Sequence, residues 1–499
     1  MDDHIAEAAA SSAKGPSSAK GPSFAEAPSF AEAPSFAEAT EGKTEGKTEG
    51  EPEGLASETV AEENLNHAQF VAWLREVAPY VHSNRGRTFV IAFEGELIES
   101  GRLTALVHDL SLLHALGIRL VLAHGSRPQV QAQLQLKGLQ TSFMGGLRIT
   151  DAPALACVKE AAGGIRLDIE AAFSQGLPST PMANSKIRVV GGNFVVARPV
   201  GIVDGVDFQH TGVVRRIDTE MIERTLRSDA LVLMSPLGFS PTGEAFNLKV
   251  EDVATSAAIA LKADKLIMIG SLDGVRDRDG HLHGELSVEQ AERVLASRDA
   301  GEQALSDLTY LVRACRAGVA RGHLIPMRLD GGLLIELFTH TGVGTMVSTE
   351  NLEALREATS DDVGGILKLI EPLEADGTLV KRPRELIERE IGQFAVFEHD
   401  GFIQGCAALY PFEDAAMGEL ACLTVHGDYR EGGLGERLMK RIEARARTAG
   451  LTRLFVLTTR TSHWFLKRGY TMAKVEDLPV QRQRMYNWQR RSQVLIKTL

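Results

Sequence analysis

Apolar residues along the first three-quarters of the chain fall into short unbroken runs separated by stretches of helical periodicity. Thr88–Ala92 (TFVIA), Arg119–Ala123 (RLVLA), Ile187–Val190, Leu231–Met234 and Leu266–Ile269 are aliphatic and β-branched runs, the mark of strands buried on both faces. Helical stretches lie between several of them. One runs from Leu103 to Leu116, with Gly117 placed to end it. Strands alternating with helices predict an α/β fold: a parallel sheet with helices on both faces. Upstream, Phe70, Val71, Leu74, Val77 and Ala78 recur at helical spacing, and Pro79 is expected to end or kink that helix.

The pattern changes near Glu350–Ser360. Asp361–Ile370 reads as a short capped helix. Phe394–Glu398 and Phe402–Leu409 flank Asp400-Gly401, a strong hairpin signal. Glu419–Val425 is a further strand, followed by a loop, a helix and the strand Leu454–Thr458. Antiparallel strands followed by one strand–loop–helix unit predict a second, smaller α+β domain.

The first sixty residues follow neither pattern. SSAKGP at Ser11–Pro16 repeats at Ser17–Pro22, SFAEAP at Ser23–Pro28 repeats at Ser29–Pro34, and EGKT at Glu41–Thr44 repeats at Glu45–Thr48. These units are too short to stack as a solenoid. They carry too little apolar surface to offset the entropy of ordering, so this segment is expected to be disordered. The expected organisation is a tail over 1–62, an α/β domain over 63–348 and the α+β domain over 349–499.

Composition adds exclusions. A hydrophobic fraction of 44% with 24% charged residues is that of a soluble globular protein. A net charge of −12 disfavours non-specific binding to nucleic acid or to an anionic membrane. No apolar run is long enough to span a bilayer, and no signal core follows Met1. The four cysteines, Cys157, Cys315, Cys406 and Cys422, form no CxxC and lie at no ligand spacing from a histidine. That points away from a metal site and suits a reducing cytoplasm.

The richest chemistry lies in Glu419–Arg447 (ELACLTVHGDYREGGLGERLMKRIEARAR). A strand leads to Arg430, Gly432, Gly433 and Gly435, and then Leu434, Leu438, Ile442 and Ala446 mark one face of a helix. Glycines let the backbone approach a ligand closely. The first helical turn offers unpaired N–H groups and the positive end of the dipole, which together suit a pyrophosphate. Arg430 can add a charge-assisted contact. A Rossmann dinucleotide site fits poorly, because it needs G-x-G-x-x-G early in a βαβ unit.

R-x-x-G-x-G between a strand and an amphipathic helix is the acyl-CoA signature of the GNAT acetyltransferase superfamily. Further segments narrow the resemblance. GCAALYPF (405–412), MGELAC (417–422), LTTRTSHWF (457–465) and YNWQRRS (486–492) resemble the acetyltransferase domain of the bacterial N-acetylglutamate synthase family. VDGVDFQHTGVVRRID (203–218) and SPLGFSPTGEAFNL (235–248) resemble its amino-acid-kinase-like domain. The resemblance covers about Asn64 to Leu499. It implies a kinase-like parallel-sheet sandwich followed by a GNAT domain, in a homo-oligomer. The reaction it implies joins acetyl-CoA and L-glutamate to give N-acetyl-L-glutamate, the entry step of arginine synthesis.

The site residues follow from the same resemblance. Glu419 is the candidate proton acceptor for the attacking amine. Backbone N–H groups near Cys422 and Leu423 are placed to polarise the thioester. The acyl-CoA set is Cys422, Leu423, Val425, Arg430, Gly432, Gly433, Leu434 and Gly435. Glutamate carries two carboxylates, which forked guanidinium groups suit. The candidates are Arg382 or Arg384, and Arg490 with Ser492, alongside Cys422. The tyrosine that many relatives use as proton donor is missing from His463-Trp464-Phe465, so His463 is a substitute candidate and the donor stays open.

The kinase-like domain departs from active kinases of its fold. These carry Lys-x-Gly-Gly after the first strand, where this chain has Ala92-Phe93-Glu94-Gly95. An alanine cannot stabilise a transferring phosphoryl group, and Glu94 repels it. A bifunctional synthase and kinase, or a non-catalytic arginine sensor, are the competing readings. LIELFTHTGVGT (334–345) resembles the end of an arginine-sensing site, implying L-arginine as inhibitor. Its candidate residues are Tyr80, His323, Glu336, Gly342 and Thr345. Glu336 is expected to meet the guanidinium, with Gly342 and Gly344 presenting backbone groups to the α-carboxylate.

Overall fold

The computed structural model of the protein describes residues 53–176, 182–183, 187–350 and 352–499; for 53–66 and Glu431 it describes the backbone alone. The chain separates into Met1–Gln69 and Phe70–Leu499. The repeats of the expected tail lie outside the described residues. The helix that follows spans Glu53–Asn84, so it takes in the last residues of the stretch read as disordered. Those residues are free of proline and rich in the helix formers Ala, Glu and Leu. Pro79 does not end this helix, which runs on to Asn84.

The α/β region is built on an eight-stranded sheet. Its order is Glu285–Ser287, Thr345–Ser348, Arg321–Pro326, Lys265–Gly270, Thr88–Phe93, Arg119–His124, Ala230–Met234 and Arg188–Gly191. The last six strands in that order run parallel. Successive side chains of a strand point to opposite faces, so a continuous apolar run feeds two cores at once. Val90, Ala92, Val121, Ala123, Leu266 and Met268 join one core, with the helices Val250–Leu261 and Glu302–Arg316. Phe89, Ile91, Phe93, Leu120, Leu122 and Ile267 join the other, with the helices Leu103–Ala115 and Ala152–Gln175. A smaller four-stranded sheet, Ala245–Asn247, Leu237–Phe239, Val195–Pro199 and Gly212–Ile217, was not evident in the apolar pattern.

The apolar stripe on the first helix behaves differently. Val77 is buried, but Phe70 is 60% exposed, Trp73 53% and Leu74 50%.

The α+β region is a seven-stranded sheet in the order Glu353–Glu357, Phe394–His399, Phe402–Phe412, Met417–Val425, Arg453–Thr458, Gln493–Thr498 and Thr471–Ala473. Asp400 and Gly401 both have positive φ, +47° and +79°, as a tight two-residue hairpin turn requires. One face packs on the helix Leu434–Thr448 through Leu434, Leu438, Ile442 and Ala446, all buried. The other packs on the helix Val363–Ala375 through Val363, Ile366, Leu369 and Ile370. The sheet is therefore held between two helices, and the strand carrying Glu419 lies at its centre.

Candidate active site

Strand Met417–Val425 pairs along most of its length with Phe402–Phe412. On its other side it pairs with Arg453–Thr458 only at Met417, Gly418 and Glu419. Beyond Glu419 those two strands part, which leaves the backbone of Leu420–Val425 facing an opening in the sheet. Two residues, Cys422 and Leu423, oppose Ala407 alone, and Cys422 has φ +51°. This is a β-bulge, a device that turns backbone N–H groups out of the ladder.

The strand then enters a short 3₁₀ turn, Gly427–Gly432, and Gly433 adopts φ +72°, ψ 8° before the helix Leu434–Thr448. Glycine is needed there because a β-carbon is penalised in the left-handed region. A β-carbon on Gly435 would lie 3.4 Å from Trp464, so the loop is seated on that ring. The amides of Leu434 and Gly435 have no acceptor within the helix. Arg430 is exposed beside them. This chain's residues thus meet the needs of a pyrophosphate: a cation, close backbone and a helix N-terminus.

At the mouth of the opening, Glu419 forms a two-point ion pair with Arg482: Nε–Oε2 is 2.7 Å and Nη2–Oε1 3.1 Å. Their side chains are 12% and 18% exposed. Arg482 lies on the short helix Val480–Arg484 and was not singled out from the sequence. It sits in a run of basic and polar residues (QRQR) where nothing distinguishes it from Arg484.

Arg382 approaches Tyr410, Cys422 and Glu419. Burial opposes its charge, but those neighbours outweigh burial and hold its guanidinium above the ordinary range. Arg490 donates through Nη2 to the Thr378 carbonyl, while its Nε is buried with no partner. Burial, and then repulsion from Arg382, push the Arg490 guanidinium below its usual range. Two guanidinium groups that disfavour each other are a ready site for an anion. Arg384 does not join them: it is exposed and pairs with Glu388 at 2.6 Å one helical turn on. Ser492 is half-buried, and its carbonyl accepts from the Tyr486 hydroxyl at 2.6 Å.

Burial pushes the Cys422 thiol up to about 11, which keeps it protonated at neutral pH and unsuited to nucleophilic attack. His463 is exposed on the helix Ser462–Leu466. Tyr470 is buried in the core, its hydroxyl unpartnered and its pKa raised by burial.

In the α/β region, His323 Nδ1 donates to Glu336 Oε1 at 2.7 Å, and Glu336 Oε2 accepts from the amides of Val343 (2.7 Å) and Gly344 (3.2 Å). Burial opposes the Glu336 charge, but His323 and those amides override it and lower its pKa. Burial also lowers the pKa of His323, so the pair is a carboxylate and a neutral imidazole. In this arrangement the Gly344 amide is taken up by Glu336 itself. Gly342 has φ +60°, and a β-carbon there would come within 2.6 Å of Glu336 Oε2. Thr345 Oγ1 accepts from the Val275 amide at 2.8 Å. Tyr80 is half-buried on the first helix, its pKa raised by burial and then by Asp400.

At the kinase-like end of the same sheet, Glu94 accepts the Ser271 amide at 3.0 Å.

A sheet that opens beyond one carboxylate, an anion-ready glycine loop and a neighbouring pair of guanidiniums define an acyl-CoA-dependent N-acetyltransferase fused to a kinase-like fold. Comparison with known proteins agrees. Residues 87–328 match the amino acid kinase family and 365–470 the acetyltransferase (GNAT) family. An amino-acid acetyltransferase of Ralstonia nicotianae is 62% identical over 432 residues, 86% of this chain and 96% of the relative. One from Azotobacter vinelandii is 55% identical, over 86% and 99%. Among solved structures, N-acetylglutamate synthase from Neisseria gonorrhoeae complexed with coenzyme A and L-arginine aligns with TM-score 0.74 at 38% identity, covering 86% of this chain and 99% of the other. The same enzyme complexed with coenzyme A and N-acetyl-glutamate aligns with TM-score 0.54 at 39% identity, with the same coverage. The chain belongs to the amino-acid acetyltransferase family.

Proposed function

We propose that this chain transfers the acetyl group of acetyl-CoA to the amino group of L-glutamate, giving N-acetyl-L-glutamate and CoA, under inhibition by L-arginine. The observation that carries the reading is the meeting of Glu419, Arg382 and the unpartnered Arg490 Nε at the point where the sheet opens. Arg430 and the amides around Gly433–Gly435 hold the pyrophosphate. The N–H groups at the Cys422–Leu423 bulge polarise the thioester oxygen. Arg382 and Arg490 take the glutamate carboxylates, with Ser492 at the edge of the pocket.

Glu419 accepts the amine proton, directly or through one water, as nitrogen bonds to the acyl carbon. The C–S bond then breaks and CoA leaves as the thiol after taking up a proton. Both Glu419 oxygens already accept from Arg482, but each keeps a second lone pair. His463, exposed on the helix Ser462–Leu466, or solvent supplies the proton that CoA takes up.

The His323–Glu336 pair, with Tyr80, Gly342 and Thr345, forms the proposed arginine site. The exposed apolar stripe of Phe70, Trp73 and Leu74 is the proposed contact between copies in a homo-oligomer. Among the described residues no helix is long and apolar enough to cross a membrane. A cytoplasmic location is part of the same proposal.

The test is to mix protein with acetyl-CoA and each amino acid, follow free CoA thiol, then add arginine. Absence of glutamate-dependent thiol release would sink the catalytic reading. Rates unchanged by saturating arginine would sink the regulatory one.

A further inference from the structure

Among the described residues, His340 carries the α/β region to the acetyl-CoA loop. The segment between the helix Gly332–Phe338 and the strand Thr345–Ser348 carries His340, which projects against the α+β region. Gln404 Nε2 donates to His340 Nε2 at 2.8 Å. The backbone carbonyl of the same Gln404 accepts the amide of His426, also at 2.8 Å, at the residue where the acetyl-CoA loop begins. The His340 ring meets Tyr429, inside that loop, edge-on at 5.6 Å, and Phe402 at 5.3 Å. His426 in turn packs on Phe402 and Tyr429 at 5.6 and 5.7 Å. His340 therefore touches both the residue that fixes the start of the loop and the ring at its middle.

We propose that His340 is a positioning residue for the acetyl-CoA loop, acting through Gln404 and Tyr429. This role rests on the loop being the proposed acetyl-CoA site. Two features make the position firm. The turn that carries His340 is pinned by Glu336 through the amides of Val343 and Gly344. The hairpin that carries Gln404 is docked separately, by the two-point Arg321–Asp400 pair and by His399 on Glu285 at 3.0 Å. Loss of the imidazole thus leaves the two regions docked while it frees the loop. Gln404 is buried, so without His340 its amide loses its acceptor, while Tyr429 and Phe402 lose the ring packed between them and the loop is held less firmly.

The experiment is steady-state kinetics on the full chain with His340→Ala, His340→Gln and Gln404→Leu. The expected result for His340→Ala is a KM for acetyl-CoA raised about tenfold, with kcat and the KM for glutamate nearly unchanged. Gln404→Leu should match it, and the double variant should be no worse than either single one, because both act through one contact. His340→Gln offers an amide oxygen to Gln404 and should recover part of the loss. An unchanged acetyl-CoA KM in His340→Ala, or a parallel fall in every parameter with a lowered melting temperature, overturns the proposal. If wild type releases no thiol with any amino acid, the function proposed above fails. Calorimetric titration with CoA still decides the role of His340, since weaker binding in His340→Ala upholds it and equal binding refutes it.

Discussion

Glu419→Gln separates the two jobs that Glu419 can have. It is either the proton acceptor or merely the anchor of Arg482. The substitution keeps the shape of the side chain but removes its charge. It also turns one acceptor of the two-point pair into a donor facing the guanidinium. Breaking a fully buried ion pair costs about 3–5 kcal/mol. With side chains 12% and 18% exposed and Arg382 close by, about 2–3 kcal/mol is the expected structural part. Loss of a positioned base costs roughly 10²–10⁴ in rate, about 3–5 kcal/mol in the barrier. The structural part alone can be measured with Arg482→Leu, which leaves Glu419 in place without its partner. Free-thiol assays at varied acetyl-CoA and glutamate give kcat and both KM values for each single variant and for the double. If Glu419 is the base, Glu419→Gln lowers kcat at least tenfold more than Arg482→Leu does, with the KM for acetyl-CoA little moved. Equal losses in both single variants, with no further loss in the double, would mean that Glu419 only holds Arg482. That result refutes the assignment.

Three further outcomes follow from particular contacts. Arg490→Ala should raise the KM for glutamate roughly 10- to 100-fold, the worth of a charge-assisted contact, whereas Arg384→Ala, a solvent-facing pair with Glu388, should leave it within twofold in the same assay. Gly342→Ala places a β-carbon 2.6 Å from Glu336 Oε2 at φ +60°, so it should raise the arginine concentration needed for half-inhibition more than tenfold while glutamate kinetics hold. Asp307 is pushed up to about 7 by burial, then by Glu251 and Glu94. Its folded pKa lies above its unfolded one, so the native state holds the extra proton and stability falls as pH rises from about 4 through about 7. Asp307→Asn should remove that fall and raise the melting temperature at pH 8; a pH dependence identical to wild type by scanning calorimetry would show that Asp307 does not titrate in this range.

The elements legible in the sequence were those whose signal is local. Thr88–Ala92 and Arg119–Ala123 read as buried strands because Phe89–Ala92 and Leu120–Ala123 are unbroken apolar runs. Asp400-Gly401 announced its turn because few other pairs tolerate positive φ at both positions. Leu434, Leu438, Ile442 and Ala446 repeat with the helix period and are buried together. The glycine loop could be read in the same way, since Arg430, Gly433 and Gly435 lie within one turn of chain. The small four-stranded sheet escaped notice because its strands are short and only partly buried.

What required the tertiary structure was every relation between distant residues. Arg482 lies sixty-three positions from Glu419, and nothing in QRQR says which arginine turns inward. Arg382 and Arg384 are two residues apart in a basic run, yet one enters the pocket and the other faces solvent, because chain direction and helix phase are set by packing. The Glu336 carboxylate closes on its own turn, a choice that depends on His323 arriving from a neighbouring strand. Phe70, Trp73 and Leu74 have the periodicity of a core stripe, but only the assembled fold decides that Val77 is covered and they are not. The sequence by itself determined periodicity, turn chemistry and the glycine loop, because these depend on neighbours within a few residues. Ion-pair partners, the burial of individual charges and the reach of His340 to the glycine loop were decided only when folding brought remote segments within hydrogen-bond distance, where burial makes pairing decisive.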